Sequence, residues 1–423
     1  MLEVKDLQVG IVGCGYVGFP LAMLFAGKYK TVAYDRNLRR VHALNKYVDV
    51  NGAIEREQIR SALDEGRLVC TTDPELLRTC NFYIIAVPTP VDEKNSADLK
   101  PLEEASKLVG AILKKGDVVV YESTVYPGLT EDFCVPILQY ISGLTYNKDF
   151  FVGYSPERVN PGDKEHTVEK ITKVTSGSTP QAAELIDQAY DSVLLKGTFR
   201  ASSIKIAEAS KIVENCQRDI LISFMNELLQ LFDKMGLDMN EVIRAASTKW
   251  NFVPMQPGLV GGHCIAVDPY YLIEKAKTVN VKTPVLCAAR EINDGMGEWY
   301  AQKIMQHTLK RRKSILDCKI LILGFTFKPN CPDIRNTQVV HLYRSLAQGM
   351  TDVTIFDPWV VEPDRAWQEY QVEVVTDPMK VVKEKFDIIA VGTNHDYFQV
   401  LELKQMLKPG GFACDLKGIL AEN

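Results

Sequence analysis

The chain has 423 residues, 46% of them hydrophobic, with a formal charge of -5 and a pI near 5.8. That length exceeds what one growing core holds, so two or three domains are expected, and the acidic balance offers no basic stripe for a nucleic-acid backbone. No window approaches the roughly 20 apolar residues that span a bilayer, and no basic, apolar leader opens the chain, which points to an unexported, cytoplasmic protein without a membrane partner.

Ten scattered cysteines without C-x-x-C pairs argue against a disulfide framework or a zinc knuckle, so most should be buried packers. No metal is expected, because His263, Cys264 and Asp268 lack a fourth ligand at recognisable spacing.

In chain order, a strand from Gln8 to Val12, an apolar helix from Val17 to Ala26 and a strand from Thr31 to Tyr34 begin an α/β rhythm. Strands from Phe82 to Val87 and from Val118 to Tyr121 follow, with a helix from Glu103 to Leu113 separating them, which predicts a parallel sheet covered by helices. Between Arg200 and Met235 there is neither Gly nor Pro, and Ile212, Cys216, Ile220, Phe224, Leu228 and Phe232 recur every four residues. This reads as a long helix with an apolar stripe, suited to connecting domains and to forming a subunit interface. Past the basic cluster 310–313 the rhythm restarts with Lys319 to Leu323, Val353 to Phe356 and Asp387 to Val391. The expected fold class is α/β, with two Rossmann-like doubly wound domains joined by a long central helix and a helical middle region. The expected divisions are 1–199, 200–312 and 313–423.

Gly13-Cys14-Gly15-Tyr16-Val17-Gly18 follows a strand and opens a helix, and Asp35 ends the next strand. Together these form a dinucleotide fingerprint: a tight turn at Gly13, close backbone approach to the pyrophosphate at Gly15, helix–sheet packing at Gly18, and an acid for the ribose hydroxyls. Asp35 favours NAD over NADP by repelling a 2'-phosphate, an inference that neighbouring Arg36 weakens. Pro88 and Thr89 in Val87-Pro88-Thr89-Pro90, and Thr124 in Glu122-Ser123-Thr124, lie past later strand ends, where such sheets place their ligands.

The segment from Pro257 to Asp268 sets Gly261 and Gly262 just before His263 and Cys264. Glycines let backbone approach a ligand, which places Cys264 as a candidate nucleophile, and Asp268 returns to its face if a helical turn begins there. Lys211 and Asn215 share a helix face. Tyr271 and Lys275 have the Tyr-x-x-x-Lys spacing of short-chain dehydrogenases but lack the matching glycine loop, and are read as structural.

Taken together, these segments resemble the UDP-sugar 6-dehydrogenase family, in particular its bacterial UDP-N-acetylglucosamine and UDP-N-acetylgalactosamine branch used in making surface polysaccharides. Further carriers are Tyr121 to Gly128, Ser155 to Gly162, Lys211 to Asn215, and Phe325 to Pro329 with Asp333-Ile334-Arg335. The resemblance implies that the C6 alcohol is oxidised twice, with two NAD consumed and a Cys264 thioester between the steps. It also implies that Lys211 and Asn215 stabilise the oxyanion, that Asp268 activates water, and that Thr124 and Glu157 hold water near C6 and act in general-base work. Glu157, Arg158, Val159, Asn160 and Gly261 join Lys211 and Asn215 around the sugar nucleotide, and Lys328 and Arg335 close over it; a homodimer or higher homo-oligomer is expected from the stripe of the long helix. UDP-glucose dehydrogenases carry a second glutamate where this chain has Pro161, which favours an N-acetylhexosamine substrate. Cys14, Phe19 and Ala266 replace the more usual Leu, Leu and Gly without removing a reacting group.

Overall fold

The computed structural model describes residues 2–91, 97–159, 165, 167–262, 264–311, 314–349 and 352–415. They fall into two compact units, Met1–Glu214 with Tyr270–Asn280, and Asn215–Pro269 with Val281–Asn423.

In the first unit a six-stranded parallel sheet is built from β1 (Gln8–Val12), β2 (Lys30–Tyr34), β3 (Leu68–Thr71), β4 (Phe82–Ile85), β5 (Val118–Tyr121) and β6 (Phe151–Tyr154), in the order β3-β2-β1-β4-β5-β6. This is the doubly wound order, with its switch point between β1 and β4. Both faces are covered, so the strands read as apolar runs rather than alternations. The alternation shows in where the side chains go. Phe82, Ile84, Val118 and Val120 enter the core on one face, while Tyr83, Ile85, Val119 and Tyr121 enter the core on the other. A separate two-stranded ladder joins β7 (Lys173–Thr175) to β8 (Thr198–Arg200).

The second unit holds a five-stranded sheet of β9 (Lys319–Leu323), β10 (Asp352–Phe356), β11 (Val374–Val375), β12 (Phe386–Val391) and β13 (Leu407–Asp415), in the order β11-β10-β9-β12-β13. Ile320, Ile322, Ile388 and Ala390 face one core, and Leu321, Leu323, Ile389 and Val391 the other.

Between the two sheets in the chain runs the 32-residue helix Ile204–Met235, about 48 Å long at 1.5 Å per residue. The stripe expected on it does not keep to one face: Ile212 and Cys216 are buried, whereas Phe224 is 53% exposed. Four residues turn an α-helix through about 400°, so a strict four-residue repeat drifts about 40° per step and leaves the core within a few turns. Among the described residues no helix is long and apolar enough to cross a membrane.

Candidate active site

The glycine loop has the geometry of a phosphate cradle. Gly13 adopts φ +98°, and its N–H donates to the Tyr34 carbonyl at 2.8 Å. A Cβ on Gly18 would stand 1.8 Å from the Gly13 carbonyl oxygen, so helix and turn meet there only through glycine. At Gly15, by contrast, a Cβ would meet nothing within 4 Å. The helix Gly18–Ala26 that follows has no side-chain cap; Phe19 N–H turns back to the Gly15 carbonyl at 3.3 Å and Pro20 has none, which leaves the Gly18 N–H at the helix start for an anion. Tyr16 and Val17 are half-buried beside this opening, while Cys14 and Phe19 are buried.

Asp35 is fixed by two backbone donors, Cys14 N–H to Oδ2 and Asn37 N–H to Oδ1, both at 2.8 Å. Each oxygen keeps lone-pair capacity for ribose hydroxyls, so the open Gly15 face, the uncapped helix and the oriented acid fit NAD. Arg36 instead reaches Glu104 at 2.7 Å in an exposed pair. Of the loop past β4, Thr89 is buried and Pro88 exposed.

Thr124, half-buried, sits in a loop held from two sides. Ser123 Oγ donates to the Val87 carbonyl at 2.7 Å, and buried Glu208 accepts the N–H groups of Gly128 and Thr130 at 2.5 and 2.9 Å. Burial raises the Glu208 pKa, offset in part by those donors. Glu208 lies one turn before Lys211 on the long helix. Lys211 is itself 7% exposed and has no ion-pair partner among the described residues, an arrangement that suits an anionic guest.

Glu157 turns its carboxylate onto its own loop: Oε1 accepts from Arg158 and Val159 N–H at 2.6 and 2.5 Å, and Oε2 is buried without a partner among the described residues. Arg158 pairs with Glu214 at 2.8 Å. Asn160 lies outside the described residues.

In the second unit, the Cys264 carbonyl accepts the N–H groups of Val267 and Asp268 at 3.1 and 2.8 Å, so the expected turn forms, and Asp268 opens the helix Asp268–Thr278. The structure brings Asp268 and Asn215 together: the Asn215 amide donates to Asp268 Oδ2 at 2.5 Å, both side chains buried. Cys264 is exposed, as is Cys287. Burial, the main cause each time, pushes the thiols of Cys70, Cys134, Cys216 and Cys414 up to about 12 and that of Cys80 to about 11, and raises Cys14 and Cys331 as well. Those seven are poor sources of a thiolate; of the other three, Cys318 is buried in the core of the second sheet, and of exposed Cys287 and Cys264 it is Cys264 that has the glycine-rich setting of a nucleophile candidate.

A polar chain that the sequence reading missed anchors this segment. Asn226 exchanges two hydrogen bonds with the backbone of Gly258, at 2.8 and 3.1 Å, and donates to Asn293 at 2.8 Å. Asn293 and Arg290 in turn hold buried Asp219. Gly261 and Gly262 lie so close to Phe327 that a Cβ would stand 3.0 and 2.6 Å from its side chain. Lys328 is half-buried next to Phe327, and Arg335 forks onto Asp333.

Tyr271 and Lys275 are tethers, as expected of structural residues. Tyr271 donates to the Pro90 carbonyl at 3.1 Å, and Lys275 lies 5.1 Å from the Tyr126 ring centroid. No local motif signals Asn226, Glu208, or the buried Glu122 and Lys173 described below, because their partners lie between 17 and 80 residues away in the chain.

Comparison with known proteins agrees along the whole chain. Residues 7–194 match the NAD binding domain of the UDP-glucose/GDP-mannose dehydrogenase family, residues 205–295 its central domain, and residues 321–422 its UDP binding domain. The chain is 47% identical to the UDP-N-acetyl-D-glucosamine 6-dehydrogenase of Pseudomonas aeruginosa over 99% of its length and 98% of the relative's. It is 44% identical to the enzyme of the same name from Salmonella typhi, over 99% of this chain and 98% of that one. Among solved structures, the UDP-D-ManNAc dehydrogenase of Pyrococcus horikoshii superposes with a TM-score of 0.88 at 29% identity, covering 99% of this chain and 97% of that one. With three family domains in order and such identity end to end, the chain belongs to the UDP-glucose/GDP-mannose dehydrogenase family.

Proposed function

We propose that this protein oxidises the C6 hydroxymethyl group of UDP-N-acetylglucosamine, or of its C4 epimer UDP-N-acetylgalactosamine, to the uronic acid through a Cys264 thioester. The observation that carries the substrate is the 47% identity, spanning 99% of the chain, to a UDP-N-acetyl-D-glucosamine 6-dehydrogenase. NAD, held by Gly13, Gly15, Tyr16, Val17, Gly18 and Asp35 with Arg36, Pro88, Thr89 and Thr124 around it, supplies the hydride acceptor for each of the two oxidations.

The chain's own groups divide the remaining work. Glu157, with one carboxylate oxygen unpartnered, takes the C6 hydroxyl proton through a water shared with Thr124. The Cys264 thiolate adds to the aldehyde carbon, so the intermediate cannot escape, and its oxidation leaves an acyl–sulfur bond. Lys211 and Asn215 stabilise the oxyanion at C6 in these steps. Asp268, oriented by the Asn215 amide, activates the water that cleaves the C–S bond and returns the thiol. Arg158, Val159, Asn160, Gly261, Lys328 and Arg335 contact the UDP-sugar.

In this reading residues 1–199 bind NAD, 200–312 carry the long helix and nucleophile loop, and 313–423 bind UDP. The exposed apolar positions Phe224, Leu231 and Met235 of the long helix provide a face for a second copy of the chain. The enzyme works in the cytoplasm, and its uronic acid feeds a surface polysaccharide.

The deciding experiment counts NADH formed per UDP-N-acetylglucosamine consumed, with UDP-N-acetylgalactosamine, UDP-glucose and UDP-N-acetylmannosamine in parallel. Two NADH and a uronic acid product are expected. One NADH with accumulating aldehyde, or undiminished turnover in Cys264→Ala, would remove the thioester.

A further inference from the structure

Beneath the Glu157 turn lies a charged cluster that this chemistry leaves unused. Glu122 follows β5, Lys173 opens β7, and Tyr190 stands on the helix Pro180–Asp191; none is more than 1% exposed. The Lys173 ammonium donates to Glu122 Oε2 at 2.6 Å and to the Pro156 carbonyl at 2.9 Å, while Tyr190 donates to Glu122 Oε1 at 2.5 Å. Pro156 immediately precedes Glu157, and Glu122 is two residues from Thr124. One ammonium therefore joins the loops that carry both side chains.

Stability alone does not call for such a pair. Removing two charges from water costs several kcal/mol each, and apolar residues of similar volume often serve the fold as well or better. The pair does, however, put a defined charge next to Glu157. Burial, helped by the Glu157 charge, raises the Glu122 pKa to about 7 against the lowering effect of Lys173, so the two carboxylates sense each other. Glu122 is faced by Lys173 from β7, by Tyr190 from its helix and by Glu157 from the loop after β6.

We infer that Lys173 and Glu122 are a buried positioning pair for Glu157, fixing where its unpartnered oxygen points and setting the field in which it takes up a proton. The inference rests on the reading of Glu157 as the general base. Lys173 anchors the peptide before that residue, the Arg158 and Val159 N–H groups hold one carboxylate oxygen, and the other is left for the reacting water.

The test compares Glu157→Gln, Glu122→Gln and the double variant Glu122→Gln/Lys173→Met in the full-length enzyme, since Lys173→Met alone would strand a buried carboxylate. The double variant should melt close to the wild type and keep its KM for NAD. Its kcat should fall about 10²-fold, as for a misplaced reacting group. Glu122→Gln cannot ionise, so its kcat–pH profile should lose the dependence near pH 7 that the ionisation of Glu122 beside Glu157 imposes. A folded double variant with wild-type kcat, or an unchanged kcat–pH profile in Glu122→Gln, would overturn the inference while an inactive Glu157→Gln left the general base standing. Wild-type kcat in Glu157→Gln would overturn the general-base reading itself. If the double variant aggregates, the Glu122→Gln profile decides.

Discussion

The two parallel sheets begin with the same device and finish it differently. After β1, Gly13 at φ +98° donates to the last carbonyl of β2, and after β9, Gly324 at φ +88° donates to the last carbonyl of β10, each at 2.8 Å. An aspartate follows each second strand. Asp35 accepts Cys14 N–H on one oxygen and Asn37 N–H on the other; Asp357 accepts Phe325 and Thr326 N–H on one and Trp359 N–H on the other. The difference lies in the remaining lone pairs. Asp35 is half-exposed and keeps them for a guest, whereas Asp357 is fully buried beneath His395, whose Nε2 lies 3.0 Å from Oδ2. Asn330 N–H donates to His395 Nδ1, so the network assigns the ring proton to Nε2, facing Asp357. On the proposed reading, the same turn and acid serve a ribose in one domain and form an internal strut in the other.

The largest expected effect tests the shared turn. In Gly324→Ala the new methyl would lie 2.3 Å from the Thr393 carbonyl oxygen at a strained φ, a destabilisation of about 3 kcal/mol or more. Gly15→Ala meets only open space, so its melting temperature should hold while its KM for NAD rises. A Gly324→Ala protein as stable as the wild type would mean that the second turn is not a strut.

Next comes the seal itself. Burial alone would raise the Asp357 pKa, but the hydrogen bond from His395, with the two backbone donors, holds it below the usual carboxylate range. A depressed carboxylate contributes stability above its unfolded pKa and loses it as pH falls through the folded value. His395→Ala should therefore cost about 2 kcal/mol at neutral pH, and the gap from the wild type should narrow in acid. An equal gap at all pH values would assign the loss to packing.

At the open acid the cost moves from stability to binding. Asp35→Asn replaces a charged acceptor by one carbonyl oxygen and one amide, so the KM for NAD should rise about tenfold with a smaller change in melting temperature than in His395→Ala. The reverse order of melting temperatures would contradict the assignment of guest site and strut.

How much of this was legible in the sequence follows from how far apart the partners lie. The glycine turn, its strand and Asp35 sit within about 30 residues and carry fixed spacings, and the strands Gln8–Val12, Val118–Tyr121 and Lys319–Leu323 were readable as apolar runs bounded by polar residues. The turn from Cys264 to Asp268 was legible for the same local reason. His395 over Asp357, Lys173 under Glu157 and Asn226 on Gly258 were not, because each joins segments that no local pattern connects. The long helix shows the opposite case: its four-residue repeat is visible in the sequence, but a strict repeat of four drifts around the helix, and Phe224 reaches solvent. Short strands such as β3, β7 and β11 carry too few residues for a period to declare itself.

The smallest effect concerns the rim of the open crevice. On sequence alone, Arg36 beside Asp35 counts in favour of a 2'-phosphate. In the structure its guanidinium is turned to Glu104, with side chains 74% and 47% exposed, and a pair that exposed contributes well under about 1 kcal/mol. Glu104 nonetheless cancels the positive potential that a phosphate would need, and the oriented Asp35 carboxylate is left to set the preference. Arg36→Ala should then leave kcat/KM for NAD within about twofold, and Glu104→Gln, which releases the guanidinium, should raise kcat/KM for NADP a few-fold at ordinary salt and less at high salt, as exposed charges are screened. Release of Arg36 with no gain for NADP would show that Asp35 alone sets the choice of coenzyme. A Glu104→Gln enzyme that prefers NADP would show that an exposed rim pair outweighs the acid held by the glycine turn.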